Sequence, residues 1–130
     1  LMKKNNSEMG TLASDLEKKS LLSDKNVVKV QTKDKLERNK LSSAISFLRD
    51  VDEISNNIYH HIGIYEFKIS TLEMFTNLKQ SKNEKNFKLE QLRAIDNKIK
   101  IDVTYASKKS IGIDTEEDLM EFKKIMEYNK

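Results

Sequence analysis

The order of elements predicts an α/β domain with a mixed sheet: strands fill the first half, and helix, helix, strand and helix follow. Three stretches carry that prediction. Residues 58–68 (IYHHIGIYEFK) and 99–105 alternate with the period of two that a strand requires. Residues 115–128 repeat Leu119, Phe122 and Met126 at helical spacing. The chain has 130 residues, enough for one domain with one core.

The elements read in order as follows. Residues 1–4 resemble the tail of a helix that runs into a polar turn at Asn5. Residues 9–16 and 26–32 (NVVKVQT) read as strands, the second rich in β-branched side chains. Residues 33–43 form a charged excursion, expected as a hairpin loop, and 44–49 (AISFLR) a third strand. The strand at 58–68 puts His61, Gly63 and Tyr65 on one face and Ile62 and Ile64 on the other. Ser70-Thr-Leu-Glu73 has the form of a capping box, opening a helix to about Leu78. A second helix is predicted over 84–96 with Leu89, Leu92 and Ile95 as its apolar stripe, and Asn97 as its stop. After the strand at 99–105 comes a short strand end at 111–114. The last helix then turns Leu119, Phe122 and Met126 inward.

Composition narrows the function. Basic side chains number 24 and acidic ones 21, a net charge of +3, which is no nucleic-acid footprint. Charged residues make up 35% of the chain and apolar ones 37%, with a mean hydropathy of −0.69, so the surface is polar and the core modest. Without cysteine there is no disulfide, thiol nucleophile or thiolate metal site. No apolar run is long enough to span a bilayer, and the start lacks the apolar core of a signal peptide, so a cytoplasmic protein is expected. Because the chain opens on Leu1 with Met only second, an N-terminal truncation is expected. Proline is absent and only three cations are arginines: Arg38, Arg49 and Arg93. Where a planar, bidentate cation is needed, lysine replaces arginine poorly.

Four groups of residues could carry chemistry. His61 and Tyr65, separated by Gly63, leave a slot in which a polyol could meet two polar tips; the plainer reading is a half-exposed strand. Glu90 and Gln91 pair a carboxylate with a carboxamide at sugar-hydroxyl spacing; the plainer reading is a solvated helix face. Asp114 stands where a strand gives way to a helix, a favoured ligand position in α/β sheets. It could be simply the N-cap, but Thr115 with Asp118 can form its own capping pair and leave Asp114 for a hard cation. Arg49, at a strand end, suits a carboxylate clamp or a loop-edge salt bridge.

Read in order, MGTLA (9–13), NVVKV (26–30), AISFLR (44–49), HHIGIYEF (60–67), KLEQLRAID (88–96) and SIGIDTEEDL (110–119) resemble the 3-deoxy-manno-octulosonate cytidylyltransferase (CMP-KDO synthetase) family. The resemblance implies the C-terminal part of a Rossmann-like nucleotidyltransferase fold, with a mixed central sheet flanked by helices. It also implies a single partial domain over residues 1–130 that lacks the nucleotide-binding half. The implied reaction joins CTP and KDO into CMP-KDO and diphosphate for lipopolysaccharide biosynthesis. Arg49 would hold the KDO carboxylate, His61, Tyr65, Glu90 and Gln91 would orient its hydroxyls, and Asp114 would bind Mg²⁺. A homodimer is implied, with partner contacts around residues 50–61. The family's CTP-gripping loop and its Gly-Asp-Glu-Pro element do not occur in these 130 residues, so this chain alone is expected to be inactive. An isolated half-sheet is also expected to expose edges and be poorly soluble. Alternatives are a cytidylyltransferase for another 2-keto sugar acid, such as sialic acid, and a non-catalytic binding or dimerisation module.

Overall fold

A computed structural model describes residues 1–52, 55–107 and 113–128. It confirms an α/β chain with a mixed sheet. The strands are β1 (Met9–Ser14), β2 (Lys29–Thr32), β3 (Leu41–Leu48), β4 (Ile58–Phe67) and β5 (Ile101–Tyr105). Between β4 and β5 lie α1 (Ile69–Asn77), α2 (Lys82–Phe87) and α3 (Leu92–Asp96); α4 (Glu116–Tyr128) follows β5. Among the described residues the sheet leaves no free edge of the kind expected of an isolated half-sheet. Its order β1-β4-β2-β3-β5 closes on itself, because β5 pairs in parallel with β1 while every other pair is antiparallel. Each of these five strands therefore has two neighbours, and the exposed edges expected of a half-sheet are absent among the described residues.

Two irregularities let so few strands close. Opposite β2 the register slips at Gln31/Thr32, leaving Ile45 of β3 as an extra residue, and its side chain is 51% exposed. Opposite β1 the register slips at Thr11/Leu12, so that Gly63 and Ile64 of β4 have no counterpart. Bulges bend a strand and sharpen its twist, which is what closure requires. The inward side chains, Met9, Ala13, Val30, Phe47, Ile101 and Val103 among them, fill the core. Beside them Lys29 is fully buried. Its ammonium donates to the carbonyls of Asp24 (2.7 Å) and Arg49 (2.6 Å), tying β2 to the loops at its end. Burial pulls its pKa down, opposed by the charges of Asp24 and Asp50.

The helices depart from expectation for local reasons. The first begins at Ile69 with Lys68 as N-cap and no side-chain cap, not with a Ser70–Glu73 box. The N–H of Lys68 still pairs with the carbonyl of Glu8, so the chain leaves the sheet one step before Ser70 could cap it. The capping box instead opens α2, where Ser81 and Glu84 bond reciprocally. The single helix predicted over 84–96 is two, α2 and α3, broken at Lys88 in the left-handed region (φ 53°, ψ 48°). Asn97 does end α3. Residues 2–6 form turns, not a helix tail, and β3 begins at Leu41, three residues before the predicted start. Thr115 and Asp118 cap α4 as expected: the Asp118 N–H donates to Thr115 Oγ1 (3.1 Å) and the Asp118 carboxylate accepts the Thr115 N–H (3.0 Å). The inward apolar stripe of α4 is not observed. No residue of α4 is buried, and Leu119 and Met126 are 38% and 54% exposed. Of the strand end predicted over 111–114, the first two residues lie outside the described part; Ile113 and Asp114 are not in a strand.

Candidate functional site

The bulge in β4 sets the geometry of the first pair. Thr11 faces Tyr65 and Ala13 faces His61 across the β1–β4 ladder, and residues two apart on β1 share a side. His61 and Tyr65 therefore also share a side, with ring centroids 5.5 Å apart. Gly63, between them, is exposed, and a Cβ added there would meet nothing within 4 Å, so the space above it is open. The Thr11 hydroxyl fills the bulge from the opposite strand, 2.9 Å from His61 Nε2 and 2.8 Å from the carbonyl oxygen of Ile64. The edge of Phe47 meets the His61 ring at 5.0 Å and completes its enclosure.

Both side chains are tuned to be neutral. Burial, with a smaller contribution from neighbouring His60, lowers the His61 pKa to about 4. Burial, reinforced by the Glu90 carboxylate, pushes the Tyr65 phenol well above its ordinary value. At neutral pH the pair is a hydrogen-bonding surface, not a charged one.

Glu90 and Gln91 reach the same place from the α2–α3 link. A groove of about 270 Å³ is lined by Tyr65, Glu90 and Gln91 on its polar side, and by Met9, Phe67, Leu72 and Phe75 on its apolar side. Glu90 is exposed, whereas Gln91 is buried, which corrects the reading of that helix face as simply solvated. Behind them stands Arg93. Its Nε and Nη2 form a fork on Glu84 Oε2 (2.9 Å) and Oε1 (2.6 Å), and its guanidinium lies 4.9 Å over the Phe75 ring. Its Nη2 is also 3.8 Å from Glu90. Arg93 thus supports both a polar and an apolar wall of the groove.

The remaining candidates lie elsewhere. Arg49 faces a second groove of about 610 Å³, lined also by Phe47, Phe87, Lys88 and Asp96. Three of its N–H groups donate to backbone carbonyls: Phe87 at 2.8 Å, Lys88 at 2.9 Å and Lys25 at 3.0 Å. Arg49 therefore braces the left-handed break at Lys88, two residues before Glu90. Asp114 is exposed ahead of α4, where its N–H donates to the Asp118 carboxylate (3.1 Å). The structure brings Tyr65, Glu90 and Gln91 together in one groove, with His61 packed against Tyr65 but not lining it; Arg49 and Asp114 do not line it either. Thr11, Phe75 and Glu84 were missed as supporting residues. Only Glu84 carried a signal, the Ser81-x-x-Glu84 spacing of a capping box. Among the described residues no group of three or more histidines and carboxylates could hold a metal. Nor is any helix there long and apolar enough to cross a membrane.

Comparison with known proteins places the chain in a family. A profile described as cytidylyltransferase matches residues 1–111. The chain belongs to the cytidylyltransferase family. Two relatives named 3-deoxy-manno-octulosonate cytidylyltransferase illustrate the likeness. The protein of Thermodesulfovibrio yellowstonii is 40% identical over 128 residues, covering 92% of this chain and 49% of its own length. That of Bartonella bacilliformis is 35% identical over 127 residues, covering 97% of this chain and 51% of its own. This cytidylyltransferase chain thus spans about half the length of the curated relatives it matches. Its fold matches the structure of CMP:2-keto-3-deoxy-manno-octonic acid synthetase complexed with CTP. The TM-score is 0.81 at 22% identity, over 99% of this chain and 53% of the other. That match confirms part of a nucleotidyltransferase fold.

Proposed function

We propose that this chain carries the sugar-binding side of an enzyme that joins CTP and KDO into CMP-KDO and diphosphate, for lipopolysaccharide biosynthesis. One observation carries the reading: Tyr65, Glu90 and Gln91 line one groove, with His61 packed against Tyr65. A sugar acid rich in hydroxyls needs neutral donors and acceptors beside an apolar wall, and this groove has both. Family membership and the names of the relatives support the same reading.

In the reaction the anomeric hydroxyl of KDO attacks the α-phosphorus of CTP and diphosphate departs. Such a transfer depends on positioning and charge stabilisation more than on covalent chemistry. His61, Tyr65, Glu90 and Gln91 orient the sugar so that its attacking oxygen is presented correctly. Mg²⁺, when bound, offsets phosphate charge. A hard divalent cation takes about six oxygens, so Asp114 would contribute one ligand of a set that the described residues do not complete by themselves. Arg49 has N–H donors beyond the three engaged by carbonyls, and these are what a KDO carboxylate would use. The same reading makes the enzyme cytoplasmic and homodimeric.

Calorimetric titration of the chain with KDO and, separately, with N-acetylneuraminic acid tests the proposal. KDO is expected to bind more tightly. Tyr65→Phe and Glu90→Gln are each expected to weaken it about tenfold, the loss of one ligand hydrogen bond. Preference for the sialic acid would move the substrate to another 2-keto sugar acid. Affinity for KDO unchanged in both variants would remove the groove from the site.

A further inference from the structure

The contacts at the β4 bulge admit only one consistent placement of protons. Thr11 Oγ1 is 2.9 Å from His61 Nε2, 2.8 Å from the Ile64 carbonyl oxygen and 3.2 Å from that of Ile62. A hydroxyl has a single hydrogen to give. If His61 Nε2 accepted it, Oγ1 would face two carbonyl oxygens at hydrogen-bond distance with lone pairs on both sides. If the hydrogen goes to Ile64, with Ile62 as a weaker second acceptor, Oγ1 can accept from a protonated Nε2. Thr11 Oγ1, His61 Nε2 and the Ile64 carbonyl oxygen are then all satisfied, as burial of Thr11 and His61 demands.

We propose that Thr11 is a positioning residue that holds His61 as its Nε2–H tautomer, so that the imidazole meets a ligand only as an acceptor, through Nδ1. Such an acceptor takes a hydrogen bond from a sugar hydroxyl and repels the oxygens of a carboxylate or a phosphate. His61 would thus dictate which end of the sugar acid faces β4. The enclosure by Phe47 and Tyr65 keeps the ring from turning over to exchange its nitrogens. Burial keeps the imidazole uncharged at neutral pH, since a protonated ring would have no acceptor at all. The tautomer rests on the hydrogen bonds alone, and its use in sugar recognition rests on the function proposed above.

Long-range ¹H–¹⁵N spectra of the ¹⁵N-histidine-labelled chain at pH 7 read the tautomer directly. The wild type is expected to show His61 as Nε2–H. Thr11→Val is expected to mix the two tautomers and to weaken KDO binding about tenfold, and Thr11→Ser to restore both. An Nδ1–H signal in the wild type would overturn the proposal, and that reading needs neither a variant nor a ligand. An unchanged tautomer in a folded Thr11→Val chain would overturn it equally. If the wild type and Thr11→Ser are both Nε2–H and Thr11→Val mixes the tautomers, yet KDO does not bind any form, the proposed function fails while the tautomer lock stands.

Discussion

Lowering the pH from 7 to 4 is expected to remove about 3 kcal/mol of stability through His61 alone. In the folded chain burial holds this imidazole at a pKa of about 4, against an ordinary value of 6.5. Between those values the unfolded chain binds a proton that the folded chain refuses. Stability must therefore fall as the pH drops through that window, and it is fully retained above it. Carboxylates add to acid unfolding, notably Glu84 and Asp96, whose pKa values hydrogen bonds depress. The His61 contribution is isolated by comparing the wild type with His61→Gln in urea unfolding at several pH values. The variant is expected to be flatter between pH 6.5 and pH 4 by about 3 kcal/mol. Parallel pH profiles for the two chains would show that His61 titrates normally and is open to water.

Replacing Arg93 with methionine is expected to cost about 2–3 kcal/mol. Glu84, only 5% exposed, receives the Arg93 fork and also accepts the Ser81 N–H that caps α2. Without its partner the carboxylate is held in place, largely desolvated and uncompensated. The pair borders a cleft shared with Lys85 and Lys88, so water reaches its rim and the cost stays below that of a deep ion pair. Restoring packing with Glu84→Leu in the same chain is expected to recover part of the loss, because removing both charges avoids the orphan. The pH gives a second sign. Arg93 holds the Glu84 carboxyl low in the wild type, so the pair's stabilisation is lost on acidification through that low pKa. Lacking the arginine, Arg93→Met gains from protonation of Glu84, and the gap between the two chains narrows toward pH 4. Chemical denaturation at pH 7 and pH 4 measures both effects. A gap that is constant with pH would mean that Glu84 is not what Arg93 serves.

These two residues also mark what the sequence could and could not convey. Alternation in β4 placed His61 and Tyr65 on one side, and it survived the bulge because two extra residues preserve the period of two. Caps are equally local, so Thr115–Asp118 was legible. The break at Lys88 was not, since a lysine occupies a left-handed position that glycine or asparagine usually announces. What stabilises it is remote: Arg49, far along the chain on the end of β3, gripping the carbonyls of residues 87 and 88. Recognition of backbone carbonyls leaves no side-chain pattern to read, which is why this bracing role of Arg49 was not legible. Closure of the sheet was hidden for a related reason. It depends on β5 returning beside β1, a pairing between distant segments that neither periodicity nor spacing encodes.

The proposed function requires four side chains from a strand and a helical link to act as one surface for a sugar acid. Titrating the isotope-labelled chain with KDO and following every backbone and side-chain signal tests it most directly. The resonances of His61, Tyr65, Glu90 and Gln91 are expected to move together, with one common affinity. Shifts confined to the groove beneath Arg49 and Phe87, with those four residues still, would contradict it.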